Sequence, residues 1–267
     1  MKELLTVQYY LVNTIEVFGI NMKSVLIITP TTGAPELLDA VRSVIGQTYK
    51  NVDHLIVVDG DKFTRQTDKT LKDNIITSGG RVSRIDLPYN TGGGGFYGHR
   101  VMAAFSHLVN HDYVLFLDQD NWFEKDHVET LVNECEKYKF DWAYSLRKIY
   151  SKDKEYLCED NCESLGRWPV WVNKDAFLID SSSYCFKREF LQEVGHLWHH
   201  GWGADRRFYT IVKEHIKHNN YGCTGKHTLA YRLGGNEGSV NHEFFAEGNT
   251  KTLETYAGKL PWLENVK

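Results

Sequence analysis

Several features are scarce or absent in this sequence, and each absence excludes a class of protein. No run approaches the roughly 20 consecutive apolar residues that a transmembrane helix needs. Acidic residues outnumber lysine and arginine, and the net charge of -4 leaves no basic excess to neutralise nucleic-acid phosphates. The five cysteines are an odd number at irregular spacing, which favours reduced thiols over a disulfide framework or a structural zinc site. We therefore expect a cytoplasmic protein that does not bind nucleic acid.

The first 23 residues lack the features of a signal peptide. They carry Glu3 and Glu16, and they have no basic start, no long apolar centre and no small-residue cleavage site. We expect this N-terminal extension to be an amphipathic helix or an ordered tail. A peripheral contact with a membrane surface stays open at this point.

What the chain does contain is an alternation of apolar strands and amphipathic helices. With 42% apolar residues in 267, it is long enough for one large domain. The alternation predicts a parallel sheet with right-handed crossovers, and no linker or repeat divides it. Strands are predicted at 24–30, 54–60, 81–88, 113–117, 141–150, 181–187 and 228–232. Helices are predicted at 35–45, 97–109, 126–138, 188–194, 204–218 and in the tail, 249–267.

The most informative segment is the end of the fourth predicted strand, where an apolar run stops at Asp118, Gln119 and Asp120. In an open α/β sheet, ligands bind at the carboxyl ends of the strands. Two acids there can hold a hard divalent cation, and that cation can hold a diphosphate. The alternative is a polar turn, in which Asp is common.

Two other predicted strands end in similar residues. The first ends in Thr29, Pro30 and Thr31, and the second ends in Asp59 and a glycine. If the strands are parallel, these ends lie at the same edge of the sheet as Asp118. Together they predict a site for a polyhydroxylated, phosphorylated ligand.

The glycine-rich segment 91–98 allows a competing interpretation. It contains a Gly-x-Gly-x-x-Gly pattern (Gly93, Gly95, Gly98) between a strand and a helix, as a nicotinamide-dependent oxidoreductase would have. Such patterns usually open the domain, however, and here the pattern lies in the third strand–helix unit. Glycines that let the backbone approach a sugar nucleotide would give a similar sequence pattern.

A second acidic signal is Asp205, which follows Gly201-Trp202-Gly203 at the start of a predicted helix. The structural interpretation is a helix-capping carboxylate, and the functional one is a general base facing an acceptor hydroxyl. Among the twelve histidines, His242 and His227 are equal candidates to join a metal at Asp120, with surface or packing roles as the alternative.

In their order and spacing, these motifs resemble the GT-A glycosyltransferases of the family-2 type. The resemblance runs from about residue 24 to 240 and rests on SVLIITPTTGAPELLDAVRSVIGQTYKNVDHLIVVDG, PYNTGGGGFYGHR, YVLFLDQDNWFEKDHVETL, SSSYCFKREFLQEVG, GWGADRRF and LAYRLGGNEGSV. It implies a single continuous α/β domain with a Rossmann-like, mostly parallel sheet flanked by helices. It also implies a nucleotide-sugar-binding half at 24–121, an acceptor-binding and catalytic half at 122–248, and a tail at 249–267.

The same resemblance implies the activity and its residues. A hexosyl group would move from a nucleoside diphosphate sugar, in particular a UDP-sugar, to a hydroxyl of a glycan or glycoconjugate, with inversion. Asp205 would be the base, Trp202 would shape the acceptor pocket, and Asp120 with Asp118 would bind Mn²⁺ or Mg²⁺, joined by His242 or His227. Donor contacts are implied for Thr29, Pro30, Thr31, Asp59, Asn90, Gly93, Gly94, Arg100 and Asp118.

The sequence departs from the family pattern at two places. The acid pair common near the catalytic helix is Ala204-Asp205 here, and the histidine common after the arginine of the last strand is absent after Arg232. Besides the oxidoreductase, two alternatives stand: a sugar nucleotidyltransferase, which would need a basic triphosphate loop that 31–36 lacks, and a non-enzymatic carbohydrate-binding module.

Overall fold

A computed structural model describes residues 22–71, 81–215, 220–234 and 240–263. The predicted N-terminal helix or tail lies outside these residues. Within them, the chain forms an α/β domain around one sheet, whose strand order is β3-β2-β1-β4-β8-β6-β9-β5, with β7 paired to β6. The strands are β1 (Val25–Thr31), β2 (Val52–Val58), β3 (Val82–Asp86), β4 (Tyr113–Phe116), β5 (Trp122–Phe123), β6 (Trp142–Tyr150), β7 (Tyr156–Glu159), β8 (Tyr184–Lys187) and β9 (Tyr221–Arg232).

Helices cover both faces of the sheet, as predicted. Because both faces are covered, alternate residues of one strand enter two different cores. In β1, Leu26 and Ile28 belong to one hydrophobic cluster, and Val25 and Ile27 belong to the other. The helices of the described residues are α1 (Leu37–Ile45), α2 (Thr64–Leu71), α3 (His99–Phe105), α4 (His127–Tyr138), α5 (Arg188–Val194), α6 (Ala204–His215) and α7 (His242–Thr255).

The first half of the sheet is parallel, and the second half is mixed. Strands β1, β2, β3 and β4 pair parallel to one another, and β6 pairs parallel to β9. Strand β8 runs antiparallel to both β4 and β6 and joins the two halves. The carboxyl ends of β1, β2 and β4 therefore lie at one edge, as the prediction of a mostly parallel sheet requires.

Helix α2 and strands β5 and β7 were not predicted, and several element bounds differ from the prediction. The last strand has twelve residues rather than five, because register shifts against β6 near Leu146 interrupt the alternation that marks a strand. Helix α3 begins at His99, since Tyr97 has a positive φ of 51° that no helix accommodates. The last helix begins at His242 and ends at Thr255, before Ala257 and Gly258, which also have positive φ. No helix among the described residues combines the length and apolarity needed to cross a membrane.

Candidate active site

A cavity of about 570 Å³ opens at the carboxyl edge of the parallel strands. We call it the central cavity. The strand-end residues and Asp205 at the start of α6 both contribute to its wall. The predicted site residues that line it are Pro30, Thr31, Asp59, Asn90, Asp118, Asp120, Trp202 and Asp205.

Other predicted site residues do not line the central cavity. Thr29 lies inside the sheet, fully buried, and its hydroxyl forms a 2.8 Å hydrogen bond with Nε2 of His54. Gly93 and Gly94 are exposed on the outer side of the glycine loop. Arg100 donates to the carbonyl of Thr91 and lies over the Phe96 ring, so it supports the loop from behind. The predicted donor contacts of these four residues stay predictions.

The two carboxylates at the end of β4, Asp118 and Asp120, are buried close to other negative charges. Desolvation, followed by repulsion from Asp180 and Asp120, raises the pKa of Asp118 to about 7. Desolvation also raises the pKa of Asp120. The Asp118 carboxylate accepts a 2.9 Å hydrogen bond from Ser181, which holds one oxygen in place. Bringing positive charge to this strand end would relieve the repulsion.

Gln119, between the two acids, ties the ends of β4 and β1 together. Its Oε1 accepts from the Thr31 hydroxyl at 2.6 Å and from the Thr32 amide at 3.0 Å. The middle residue of the Asp-x-Asp segment therefore fixes the first loop of the cavity. The two flanking carboxylates can then face the cavity without moving.

Asp59 holds the glycine loop. One carboxylate oxygen accepts from the amide and hydroxyl of Thr91, and the other accepts from the amide groups of Asn90 and Gly92. These four donors use the roughly four lone-pair positions of a carboxylate. The structure therefore gives Asp59 a positioning role for the glycine loop, and its predicted donor contact stays a prediction.

Only glycine fits at position 92 of this loop. A Cβ there would lie 2.2 Å from the Tyr97 carbonyl oxygen and 2.9 Å from Oδ2 of Asp59. At Gly98, a Cβ would lie 2.9 Å from the Pro30 ring. Close packing onto Asp59 and β1 thus requires glycine at positions 92 and 98, and Gly98 is one of the three glycines of the pattern that resembles a dinucleotide fingerprint.

Asp205 lies in the first turn of α6 and lines the central cavity. Its Oδ1 accepts from the amide of Arg206 at 2.8 Å, and desolvation raises the pKa of the carboxyl group. Nearby, His99 lines the same cavity, and its Nδ1 lies 3.0 Å from the His200 carbonyl oxygen. Trp202 borders the cavity and is 75% exposed.

The two predicted histidine ligands do not reach Asp118 and Asp120. His227 lines a separate cavity, where its Nδ1 lies 3.6 Å from Glu159, because β9 carries it away from the end of β4. His242 is exposed at the start of α7 and does not line the central cavity. Across the described residues, no group of three or more His, Cys, Asp or Glu side chains converges as a complete metal site.

The prediction missed a buried ion network in the cavity wall. Arg147 of β6 donates to Asp160 and Glu163 through Nη2, at 2.7 and 2.8 Å, and to Asp180 through Nη1, at 2.9 Å. Arg206 adds a 3.1 Å bond to Glu163. Arg147, Glu163 and Asp180 line the central cavity. The one signal in the sequence was Asp180 before three serines and a strand, which resembles the other acidic segments of the site.

Arg232 at the end of β9 was also not assigned. Its Nε donates to the carbonyl of Asp120, and its Nη2 donates to Asp39 of α1 at 2.7 Å. Its amide donates to the Asn121 side chain. These hydrogen bonds from the last strand fix the turn that contains Asp120.

Comparison with known proteins agrees with this geometry. Residues 24–170 match the family model described as glycosyl transferase family 2. Because the match covers more than half of the chain, the chain belongs to glycosyl transferase family 2. Its fold is the GT-A fold, and no curated protein matches the sequence.

Solved structures of S. aureus TarS share the fold. The structure of TarS 1–349 has a TM-score of 0.55 at 14% identity, over 78% of this chain and 60% of that one. The structure in complex with UDP has a TM-score of 0.56 at 14% identity, over 86% of this chain and 64% of that one. The structure in complex with UDP-GlcNAc has a TM-score of 0.55 at 14% identity, over 86% of this chain and 66% of that one. This chain therefore spans less than two thirds of the TarS chain in each case.

Proposed function

We propose that this glycosyltransferase moves a hexosyl group from a UDP-sugar to a hydroxyl of a glycan or glycoconjugate, with inversion. The observation that carries the proposal is that Asp118 and Asp120, at the end of β4, share one cavity with Asp205, at the start of α6. The two carboxylates at the end of β4 can hold a diphosphate through a cation, and Asp205 can act as a general base. The TarS structures with UDP and UDP-GlcNAc support the choice of donor.

The residues present fit Mn²⁺ or Mg²⁺ at the end of β4. Six carboxylates and three guanidiniums line the central cavity, so a bare diphosphate would be repelled. Mg²⁺ is usually bound by one or two carboxylates, with phosphate oxygens and water completing the shell. Asp118 and Asp120 would be those carboxylates, without a histidine. Such an ion, when bound, would neutralise charge on the departing diphosphate.

At the opposite end, Asp205 would take the proton of the acceptor hydroxyl. Desolvation raises its pKa, which makes the carboxylate a stronger base than an exposed aspartate. The amide of Arg206 holds Oδ1 and leaves Oδ2 for the acceptor. A single base opposite the leaving group suits direct displacement, and hence inversion. Trp202 offers an exposed aromatic face on which an acceptor sugar can stack.

The test is UDP binding, measured by calorimetry with Mn²⁺ and with a chelator. We expect much tighter binding with Mn²⁺, and Asp120→Ala should remove the metal-dependent part. Asp153→Ala, an exposed acid that does not line the cavity, should bind as the parent protein does. Equal UDP affinity with and without metal would contradict the metal-dependent mechanism. Preferential binding of a nicotinamide cofactor would favour the oxidoreductase instead.

The stereochemical part of the proposal has its own measurement. A proton NMR spectrum of the first product formed gives the anomeric configuration of the transferred sugar. An inverted centre is expected, and retention would show that Asp205 is not a base in a single displacement.

A further inference from the structure

Two carboxylates of the central cavity have no part in the proposed steps. Asp180 and Glu163 line the cavity but are only 7% and 4% exposed. Burying a charge is costly unless the group is paired, so their retention in the wall needs a reason. Their pairing partner is the buried guanidinium of Arg147, which contacts both of them.

Hydrogen bonds connect the segments that carry both carboxylates to the two ends of the site. Ser181, which follows Asp180, donates to Asp118 at the diphosphate end. Arg206, which follows Asp205, donates to Glu163 at the base end. In a displacement, the sugar lies between the leaving diphosphate and the attacking hydroxyl. This stretch of wall therefore faces the sugar of the donor.

Both carboxylates are held rigidly yet keep free acceptor positions. Asp180 accepts from Arg147 and from the amide of Ser182. Glu163 accepts from Arg147 and Arg206. A carboxylate has roughly four lone-pair positions, so about two remain on each group. Sugar hydroxyls are donors that match them, whereas a carboxylate on the sugar has no proton to donate.

We propose that Asp180 and Glu163 determine donor specificity by accepting hydrogen bonds from hydroxyls of the transferred sugar, and that they select an uncharged hexose over a hexuronic acid. The inference rests on the proposed function and deepens it. Arg147 is the positioning residue, since it donates one hydrogen bond to each carboxylate and leaves other acceptor positions free. A uronic acid would add a negative charge to a cavity in which carboxylates already outnumber guanidiniums.

The network also provides a matched control. Asp160 accepts from Nε and Nη2 of Arg147, is fully buried, and does not line the cavity. Asp160→Asn can keep the oxygen that accepts from the amides of Cys162 and Glu163, and it perturbs the same guanidinium from the side away from the substrate. A purely structural role for the network predicts that Asp160→Asn and Asp180→Asn change donor binding alike.

The experiment measures the affinities of UDP, UDP-glucose, UDP-galactose, UDP-GlcNAc and UDP-glucuronic acid, with Mn²⁺, by competition against a labelled UDP. We expect the parent protein to bind at least one uncharged UDP-sugar more tightly than UDP-glucuronic acid. Asp180→Asn and Glu163→Gln should each reduce that ratio by roughly 10- to 100-fold, the scale of a hydrogen bond to a charged group. Asp180→Asn also removes a repulsive charge near Asp118, so each affinity is divided by the same variant's affinity for UDP before the sugars are compared.

Several outcomes would overturn the inference. One is an unchanged ratio in both variants, and another is the same change in Asp160→Asn. A third is that the parent protein binds UDP-glucuronic acid more tightly than every uncharged UDP-sugar. This measurement needs no variant, so it tests the inference even if Asp180→Asn fails to fold. Failure of the proposed function looks different, since the parent protein would then bind none of the five ligands.

Discussion

The two halves of the central cavity are built by different means. In the first half, parallel strands end side by side, and strand pairing brings Thr31, Asp59 and Asp118 to the cavity. In the second half, Arg147 collects Asp160, Glu163 and Asp180 from separate segments of chain. Backbone hydrogen bonds position the first wall, and a buried ion network positions the second.

The difference shows where specificity can vary within one fold. A sheet edge is an inevitable result of the strand order, so any sequence with this alternation places residues there. A buried ion network forms only if every member is present, because an unpaired buried charge is strongly destabilising. We infer that the second wall is the more easily broken by single substitutions.

The largest effect is expected for Arg147→Met, which leaves three buried carboxylates without their shared cation. Removing one partner of a buried ion pair costs about 3–5 kcal/mol of unfolding free energy, and denaturant titration measures it. The matched control is Arg84→Met, which breaks ion pairs of Arg84 with Asp68 and Asp86 at the exposed edge of the first half. We expect a loss of about 1 kcal/mol or less there. Equal losses of unfolding free energy in the two variants would contradict the inference that the second wall is the more easily broken.

Next in size is Asp205→Asn, which keeps the shape and capping ability of the side chain but removes its basicity. We expect turnover to fall by roughly 100-fold or more, the usual scale for a general base. UDP affinity and the unfolding temperature should change little, since Asn caps helices as well as Asp does. The control is Glu243→Gln, an exposed acid in the first turn of α7. Near-normal turnover in Asp205→Asn would leave Asp205 a helix cap.

A smaller effect is expected for Gly92→Ala in the first wall. The new methyl group would collide with the Tyr97 carbonyl and with Asp59, at a cost of about 1–3 kcal/mol through overpacking. UDP affinity should fall with it, because Asp59 holds this loop against the cavity. In Gly94→Ala the methyl group meets no atom within 4 Å, and only the positive φ of 73° is strained. A loss in Gly94→Ala as large as in Gly92→Ala would contradict the steric account.

A further comparison concerns the pH dependence of stability at Asp118. Its pKa is raised to about 7, so the folded state retains a proton that the unfolded state loses near pH 4. Stability should therefore fall as pH rises from about 4 to 7, and Asp118→Asn should lack this contribution. Unfolding free energies of both proteins at pH 5 and pH 8, without divalent metal, give the comparison. The variant should gain stability relative to the parent at pH 8, and no pH-dependent difference would refute the assignment.

Metal affinity should follow the opposite course with pH. A divalent cation needs the Asp118 carboxylate rather than the acid. Binding of UDP with Mn²⁺ should accordingly weaken as pH falls through about 7. Calorimetry from pH 6 to pH 8 measures this dependence.

The sequence prediction succeeded where structure follows from local pattern. Strands β1, β2 and β4 are apolar because both of their faces are buried, and their ends were found to within two residues. It was less accurate where two distant segments adjust to each other. Thr29 was expected in the site because it lies near a strand end, but its hydroxyl bonds to His54 across the sheet. Neither residue reveals this pairing by itself.

The sequence by itself determined the parallel strands, the acidic ends of β2 and β4, and the helix start at Asp205, because periodicity and local backbone preference are properties of neighbouring residues. Only the tertiary structure decided that Asp59 would hold the glycine loop and that His227 would face a separate cavity. It also decided that Arg147 would gather carboxylates from positions 160, 163 and 180. Those arrangements depend on the pairing of buried charges between distant segments, and the free energy of desolvation enforces that pairing only once the chain is folded.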